Sequence, residues 1–213
     1  SEGRYQMLEP RLTLSYALRP SFKTKIATGI YHQYLQLVTS EGFGGGDFWV
    51  PLDETVRPGK SVHFVTGFEW DPNSSYFLSL EGYYTGLSHL VIIDTENVVD
   101  IEKPRSKDIF KTEGTGYATG VELFIEKRKG NSRGWLGYTL GWTRRQFDQI
   151  DGGRSFPPKY DRRHNISFTA TRQMKRWTWS SSFVYGTGQA FTPASARYSL
   201  RDPATGLFSD RAL

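Results

Sequence analysis

Apolar and polar residues alternate with a period of two along most of the chain. In the segment GWLGYTLGWT, Leu136, Tyr138, Leu140 and Trp142 fall on one side, and glycines and threonines fall on the other. The same alternation recurs in RLTLSYAL, SVHFVTGFEW, HNISFTAT and RWTWSSSFVY. Successive side chains of a β-strand point to opposite faces, so this pattern predicts strands with one apolar and one polar face.

Three further segments, residues 22–36, 76–93 and 117–129, follow the pattern less cleanly and bring the predicted total to about eight strands. Several of these strands reach about ten residues, which is longer than the five or six that are typical of soluble proteins. We therefore predict an all-β fold, an antiparallel up-and-down meander with negligible helix. The predicted hairpin turns lie at Arg19, Asp71, Gly130 and Met174.

Short and long connections alternate between these strands. Tight turns join the strands in pairs, whereas residues 37–60, 95–116 and 146–163 form long connections, and the chain after Thr187 is predicted to be loop. Structureless connections longer than about 12 to 15 residues are uncommon in compact soluble domains. Transmembrane β-barrels combine short turns on one side with long loops on the other, and this pattern therefore favours a barrel.

Aromatic residues make up 15% of the chain, and in the predicted strand register they sort to two levels. One level holds Trp70, Tyr76, Trp135 and Trp177, and the other holds Tyr84, Tyr117, Trp142 and Tyr185. Aromatic side chains concentrate at both borders of a bilayer, so two such girdles favour a membrane barrel. A soluble β-sandwich that binds carbohydrate or protein is the alternative interpretation.

Five segments in succession resemble strands of the TonB-dependent outer-membrane receptors. They are RPGKSVHFVTGFEW, YFLSLEGYYTGLSHLV, GTGYATGVELFIEKRKG, GWLGYTLGWTRRQF and PPKYDRRHNISF, and the likeness spans residues 11–193. The resemblance rests on the order and spacing of the segments rather than on one motif. It implies a 22-stranded barrel in the bacterial outer membrane, closed by a plug and driven by an inner-membrane energy-transducing complex.

The resemblance also implies partners and a place for this chain. We expect residues 1–213 to be an internal fragment of one barrel domain, without the plug, with both ends of the chain outside the cell. The expected partners are outer-membrane lipid, lipopolysaccharide and a small imported ligand. Contact with the TonB complex is expected through parts of the receptor other than these strands.

The motif YDRRH is the strongest candidate for chemistry. Asp161 and His164 could form an acid–base pair, but no nucleophile or oxyanion site stands near them in the sequence. We therefore expect a rim at which Asp161 and the two arginines form ion pairs or bind lipopolysaccharide phosphates, and no catalytic residue. Arg162 and Arg163 in this motif are candidate ligand-binding residues. Phe43 and Trp49, in the long connection 37–60, are the other candidates.

The remaining composition narrows the function further. His32, His63, His89 and His164 are scattered without metal-ligand spacing, so we expect no metal and no cofactor. The net charge of +5 is spread among near-equal acids, which does not predict nucleic-acid binding. Carboxylates on the predicted polar faces favour a wet barrel lumen over a dry sandwich core. They are Glu69, Glu81, Glu122 and Glu126.

Overall fold

The computed structural model describes residues 6–38, 48–51, 56–93, 110–189, 197–201 and 208–212, and every long element in them is a β-strand. The strands are β1 (Arg11–Arg19), β2 (Phe22–Gln33), β3 (Leu35–Val38), β4 (Phe48–Pro51), β5 (Gly59–Asn73), β6 (Tyr76–Ile93), β7 (Phe110–Lys127), β8 (Ser132–Gln146), β9 (His164–Met174), β10 (Trp177–Gly186), β11 (Arg197–Arg201) and β12 (Phe208–Ala212). A single 3-10 turn covers Asp151–Gly153. The described residues contain no helix long and apolar enough to span a membrane.

Eight of the strands form one antiparallel sheet in the order β1-β2-β5-β6-β7-β8-β9-β10. Each strand pairs with the next strand of this order, which confirms the predicted all-β up-and-down meander. The outer strands β1 and β10 do not pair with each other in the described structure, so the sheet is open.

The predicted tight turns are confirmed. Strands β1–β2, β5–β6, β7–β8 and β9–β10 are joined by short turns at one edge of the sheet, which we call the turn edge. In the β7–β8 turn Gly130 has a φ of 94°, a left-handed conformation that glycine adopts without steric cost. The long connections leave from the opposite edge, which we call the loop edge.

Strand boundaries differ from the prediction at three places. β7 begins at Phe110, inside the segment that was predicted to be loop, because its pairing with β6 continues past register shifts near Leu90. The hairpin β3–β4 begins just before the predicted long connection 37–60 and lies mostly inside it. The chain after Thr187 was predicted to be loop, and this is wrong because β11 and β12 pair there as a second hairpin. These hairpins are too short for periodicity to show.

The register of the ladders places apolar residues side by side across the sheet. One row of directly paired neighbours runs through Phe22, Trp70, Leu78, Ile125, Leu136, Phe168 and Phe183. The next row on the same side runs through Thr24, Phe68, Leu80, Leu123, Tyr138, Ile166 and Tyr185. We call this side the apolar face, and it follows the alternation seen in the sequence.

The opposite side, the polar face, carries the charged, hydroxyl and glycine positions. One of its rows runs through Lys25, Gly67, Glu81, Glu122, Thr139 and Asn165. Trp135 also lies on this face, where it stacks on Phe124 at 6.0 Å between ring centroids. It shares the level of Trp70 and Tyr76, as predicted, but it points to the other side of the sheet.

No second layer of described residues covers the apolar face. Only Val56 and Phe147 are buried hydrophobic residues in the described part of the chain. Large side chains of the apolar face are exposed instead, among them Leu14 at 58%, Phe64 at 48% and Trp179 at 63%. A sheet in a water-soluble domain buries one face against another layer, and this sheet lacks such a layer among its described residues.

Candidate functional site

The predicted ligand-binding residues fall in two separate parts of the chain. Phe43 lies outside the described residues. Trp49 belongs to the hairpin β3–β4, where its side chain is 60% exposed. Arg162 and Arg163 lie at the loop edge of the eight-stranded sheet, just before β9. The residues around these two arginines form the best-defined candidate site.

The side chain of Asp161 continues the hydrogen bonding of β8 beyond the end of the β8–β9 ladder. The β8 amide of Gly141 donates to the carbonyl of Arg163 at 3.0 Å, and this is the last backbone bond of the β8–β9 ladder. Further along β8, the amide of Thr143 donates to Asp161 Oδ1 at 2.8 Å. A carboxylate therefore satisfies a strand amide that would otherwise lack an acceptor at the end of the ladder.

The same carboxylate holds two arginines. Asp161 Oδ2 lies 3.3 Å from Arg144 Nη1 and 3.4 Å from Arg163 Nη2, and the Asp161 side chain is only 9% exposed. Burial of a carboxylate is costly unless it is paired, and here two guanidinium groups and one amide compensate it. Of the two arginines that were predicted to pair with Asp161, Arg163 does so and Arg162 does not among the described residues, and Arg144 is a partner that sequence reasoning did not include.

The consecutive residues Arg162 and Arg163 point to different sides of the sheet. The guanidinium of Arg163 lies 4.6 Å above the ring of Trp142, a residue of the apolar face, and donates to the carbonyl of Gly141 at 2.8 Å. Arg162 is exposed and lies against Gly186 on the polar side of β10. Of the two, Arg162 faces the polar side, and it has no ion-pair partner among the described residues.

His164 makes contacts that are separate from those of Asp161. Its Nδ1 lies 2.9 Å from the hydroxyl of Tyr138, and the two rings stack at 6.1 Å. Its backbone amide donates to Thr187 Oγ1 at 3.1 Å. The acid and the imidazole of YDRRH therefore have different partners, and the structure does not bring them together as a pair.

The connection 147–163 is attached to the sheet by two further contacts. Arg145 and Phe156 exchange both backbone hydrogen bonds, at 2.9 and 2.8 Å. Phe147, which is 1% exposed, stacks on Phe156 at 6.3 Å and fills the space beside Gly114. These contacts hold the connection at the loop edge, where it positions the Asp161 cluster.

The polar face carries an ion-pair network that the sequence pattern did not predict. Lys25 Nζ lies 3.0 Å from Glu69 Oε1 and 2.5 Å from Glu81 Oε1, and Ser79 Oγ donates to Glu81 at 3.3 Å. Glu122 pairs with Glu81 across the β6–β7 ladder, next to this network. The four carboxylates that were expected on this face all lie there, and two of them share one lysine.

A second polar cluster lies at the loop edge of β1, β2 and β5. Arg11 sits 4.4 Å above the ring of Tyr31, and that ring packs against His63 at 4.5 Å. His63 Nε2 lies 3.0 Å from Ser61 Oγ, a spacing of two residues that sequence reasoning passed over.

The segment before β1 contacts this cluster through Glu9. Its carboxylate accepts the amide of His32 at 2.7 Å and pairs with Arg11 at 2.8 Å. The His32 amide, with a smaller contribution from Arg11, lowers the pKa of Glu9 below its ordinary value. Among the described residues, no three His, Asp or Glu side chains lie close enough together to hold a metal ion.

Comparison with known proteins adds no assignment: no protein-family model matches the chain, and no curated protein matches it.

Proposed function

We propose that this chain forms part of the barrel wall of a TonB-dependent receptor in the bacterial outer membrane and takes part in ligand capture and uptake. The observation that carries the proposal is the apolar face, an uninterrupted apolar row across seven strands that no described residue covers. We propose this particular class of barrel because the strand segments resemble those of TonB-dependent receptors.

Lipid is the solvent that suits such a face. Burial of apolar surface contributes about 25 cal/mol per Å² relative to water, so a wide bare face is costly in water and stable against acyl chains. The opposite face carries Lys25, Glu69, Glu81 and Glu122, which suit a water-filled or protein-filled lumen. Alternating outward apolar and inward polar residues are the pattern of membrane barrels.

The two outer strands of the sheet, β1 and β10, support a barrel with further strands. Natural edge strands carry charges, prolines or bulges that prevent pairing with other strands. Between Leu12 and Leu18 β1 has no charge and no proline, and β10 has none over its whole length. Both strands therefore suit continued pairing, which in a closed barrel is supplied by neighbouring strands of the same wall.

In this proposal the loop edge lies outside the cell, and its connections capture the ligand. Arg162 and Trp49, both exposed, are the described residues that we propose for ligand contact, together with Phe43. Surrounding lipid and lipopolysaccharide contact the apolar face. Energy for uptake comes from the inner-membrane TonB complex through other parts of the receptor, and the chain itself performs no chemical turnover.

Two tryptophans with nearly equal exposure on opposite faces provide the test. Trp142 on the apolar face is 38% exposed and Trp135 on the polar face is 37% exposed. Variants that keep only one of the six tryptophans are reconstituted into bilayers whose acyl chains carry bromine, a fluorescence quencher. We expect quenching of Trp142 and little quenching of Trp135.

The alternative class of protein predicts a different result. A soluble β-sandwich binding module would fold in buffer without detergent or lipid, and brominated acyl chains would quench neither tryptophan. Equal quenching of both residues would mean that the two faces do not meet different solvents. Either result overturns the proposal of a barrel wall.

A further inference from the structure

We propose that the turn edge of the eight-stranded sheet binds the carboxylate-bearing polymer of the bacterial cell wall. This inference rests on the proposed function, because it requires the turn edge to face the periplasm, where that polymer lies. It also goes beyond the proposed function, since it gives the barrel an attachment that ligand uptake does not require.

The positive charge of the chain is concentrated at the turn edge. The four turns with their flanking residues, 19–21, 71–75, 127–133 and 172–176, contain one acidic residue, Asp71, and eight basic residues. Their net charge is therefore +7, whereas the whole chain carries +5, so the rest of the chain is net negative. The basic residues are Arg19, Lys127, Arg128, Lys129, Arg133, Arg172, Lys175 and Arg176. Folding thus brings together cations that are scattered along the sequence.

Six of these eight cations are not engaged by an acid of the described structure. Arg128 pairs with Asp71 at 3.0 Å and with Glu126 at 2.9 Å, and Lys127 Nζ lies 5.7 Å from the ring centroid of Tyr76. The other six have no ion-pair partner in the described part of the chain, and all six are exposed. A group of uncompensated cations raises the local concentration of anions around it.

Backbone hydrogen bonds join the four turns into one continuous rim. The amide of Asp71 in the β5–β6 turn donates to the β1–β2 turn at 2.8 Å, and the amide of Arg128 in the β7–β8 turn donates to the β5–β6 turn at 2.8 Å. The amide of Gln173 at the end of β9 donates to the β7–β8 turn at 2.7 Å. The cations therefore stand on a preorganised scaffold, which lowers the entropy that is lost when a partner binds.

Cations on both sides of the rim favour a partner in water over a lipid headgroup. Arg133 pairs with Thr171 on the polar face, whereas Arg172 pairs with Trp179 on the apolar face. Lys175 lies in the β9–β10 turn itself, beyond the last pair of the ladder. A lipid leaflet would meet only the apolar side, so it would leave the cations of the other side and of the turns without a partner.

The composition of the turns favours a charged polymer over a folded protein. Stable protein–protein interfaces have an apolar, aromatic-rich core inside a polar rim. The residues between the paired strands are proline, serine, glycine, asparagine, lysine and arginine, and they offer no such core. The cell-wall polymer carries many free carboxylates on its peptides, and several of them can pair with the rim at the same time, which raises the overall affinity.

The experiment measures binding of the membrane-embedded protein to isolated cell walls. The protein is placed in phosphatidylcholine nanodiscs and sedimented together with purified cell-wall sacculi. We expect the double change of Lys129→Gln and Arg176→Gln to weaken binding about tenfold, because each exposed charge pair contributes a factor of up to about five. Sacculi whose carboxylates have been converted to amides should not bind, and binding to unmodified sacculi should weaken as salt is raised.

A matched control and a variant with the opposite sign complete the test. The double change of Arg154→Gln and Lys159→Gln removes two exposed cations from the connection at the loop edge and should leave binding to sacculi unchanged. Asp71→Asn removes the one acid of the four turns, so binding should tighten. A purely structural role of the turns predicts the reverse for this variant, because Arg128 loses an ion pair.

Three outcomes overturn the inference. They are equal binding by the turn-edge variant and the loop-edge control, undiminished binding of amidated sacculi, and loss of binding in nanodiscs of phosphatidylglycerol, which would assign the cations to lipid phosphate. Quenching of Trp142 and Trp135 by brominated acyl chains is measured on the same protein. If Trp142 alone is quenched while sacculi do not bind, the inference fails and the barrel proposal stands.

Discussion

Lys25 on β2 and Glu81 on β6 form an ion pair across the strand that separates them. The intervening strand β5 places Gly67 between them in the same row of the polar face. Neighbouring strands are about 4.8 Å apart, so a side chain at the middle position would stand between the two charges. Glycine removes that obstacle, and Lys25 reaches Glu69 on β5 as well as Glu81.

Replacing Gly67 with alanine should destabilise the sheet. An added Cβ would lie 2.5 Å from the carbonyl oxygen of Leu80 and 2.8 Å from Glu81 Cγ, so backbone and side chain must both move. Overpacking of this kind costs about 1 to 3 kcal/mol. The measurement is the free energy of unfolding in denaturant, with the protein in lipid or detergent.

Gly137→Ala is the control for this prediction. Gly137 lies mid-strand on the same face, but its nearest contacts would be 3.8 Å or more from the added Cβ, which is ordinary packing. Alanine in a strand is favoured over glycine by about 0.5 to 1 kcal/mol, so this variant should be neutral or slightly more stable. Equal destabilisation by both changes would refute the role assigned to Gly67.

Asp161 should contribute to stability through two separable interactions. Asp161→Ala removes the acceptor of the Thr143 amide and leaves Arg144 and Arg163 without their carboxylate, and we expect a loss of about 1.5 to 3 kcal/mol. Asp161→Asn keeps an oxygen that accepts the hydrogen bond from the Thr143 amide, and this variant should lose less stability. Hydrogen exchange at the Thr143 amide checks this order: protection should fall in the alanine variant and largely persist in the asparagine variant.

The sequence was sufficient to predict what the local pleat determines. The facing of Leu136, Tyr138 and Leu140 follows from period two alone, and the tight turns follow from their composition. The Lys25–Glu81 pair could not be predicted, because it depends on the register of three strands. The contact of Asp161 with Arg144 likewise depends on how residues 147–163 fold back onto β8, which alternation does not encode.

Single residues near strand ends and short strands were harder to predict. Trp135 was grouped with the border aromatics by its level along the strand, and its position one residue before Leu136 already placed it on the opposite face. Within the described part of the chain, the five-residue strands β11 and β12 pair with each other and with no other strand, and each is too short for its alternation to stand out. Their pairing is a long-range property of the chain.

The segment before β1 should detach at low pH. The pKa of Glu9 is lowered from 4.5, mainly by the amide of His32, so its ionised form is stabilised in the folded protein. This stabilisation is fully present above pH 4.5 and is lost as the pH falls through the lower, folded-state pKa. Amide protection of His32 should therefore decrease in that range.

Glu9→Gln separates this effect from general acid unfolding. Its amide oxygen can accept the His32 amide at every pH, so protection at His32 should become independent of pH in this range. If the variant loses protection at the same pH as the unaltered protein, a group other than Glu9 controls the segment.

Leu140 and Thr139 should respond in opposite ways to the same charge. Leu140 pairs with Val121 on the apolar face, and Thr139 pairs with Glu122 on the polar face. A cation near the bilayer midplane costs about 2 to 4 kcal/mol, so Leu140→Arg should impair assembly of the barrel. Thr139→Arg places its guanidinium beside the Glu122 carboxylate, so assembly should be preserved.

Single cysteines at these two positions give a direct readout, because the chain contains none of its own. A water-soluble thiol reagent should label a cysteine at position 139 faster than one at position 140 in the membrane-embedded protein. In detergent-free denaturant, where neither face exists, both positions should react at similar rates, which controls for intrinsic reactivity. Labelling in the opposite phase in the membrane would show that the apolar face does not meet lipid, and the assignment of the two faces would then be wrong.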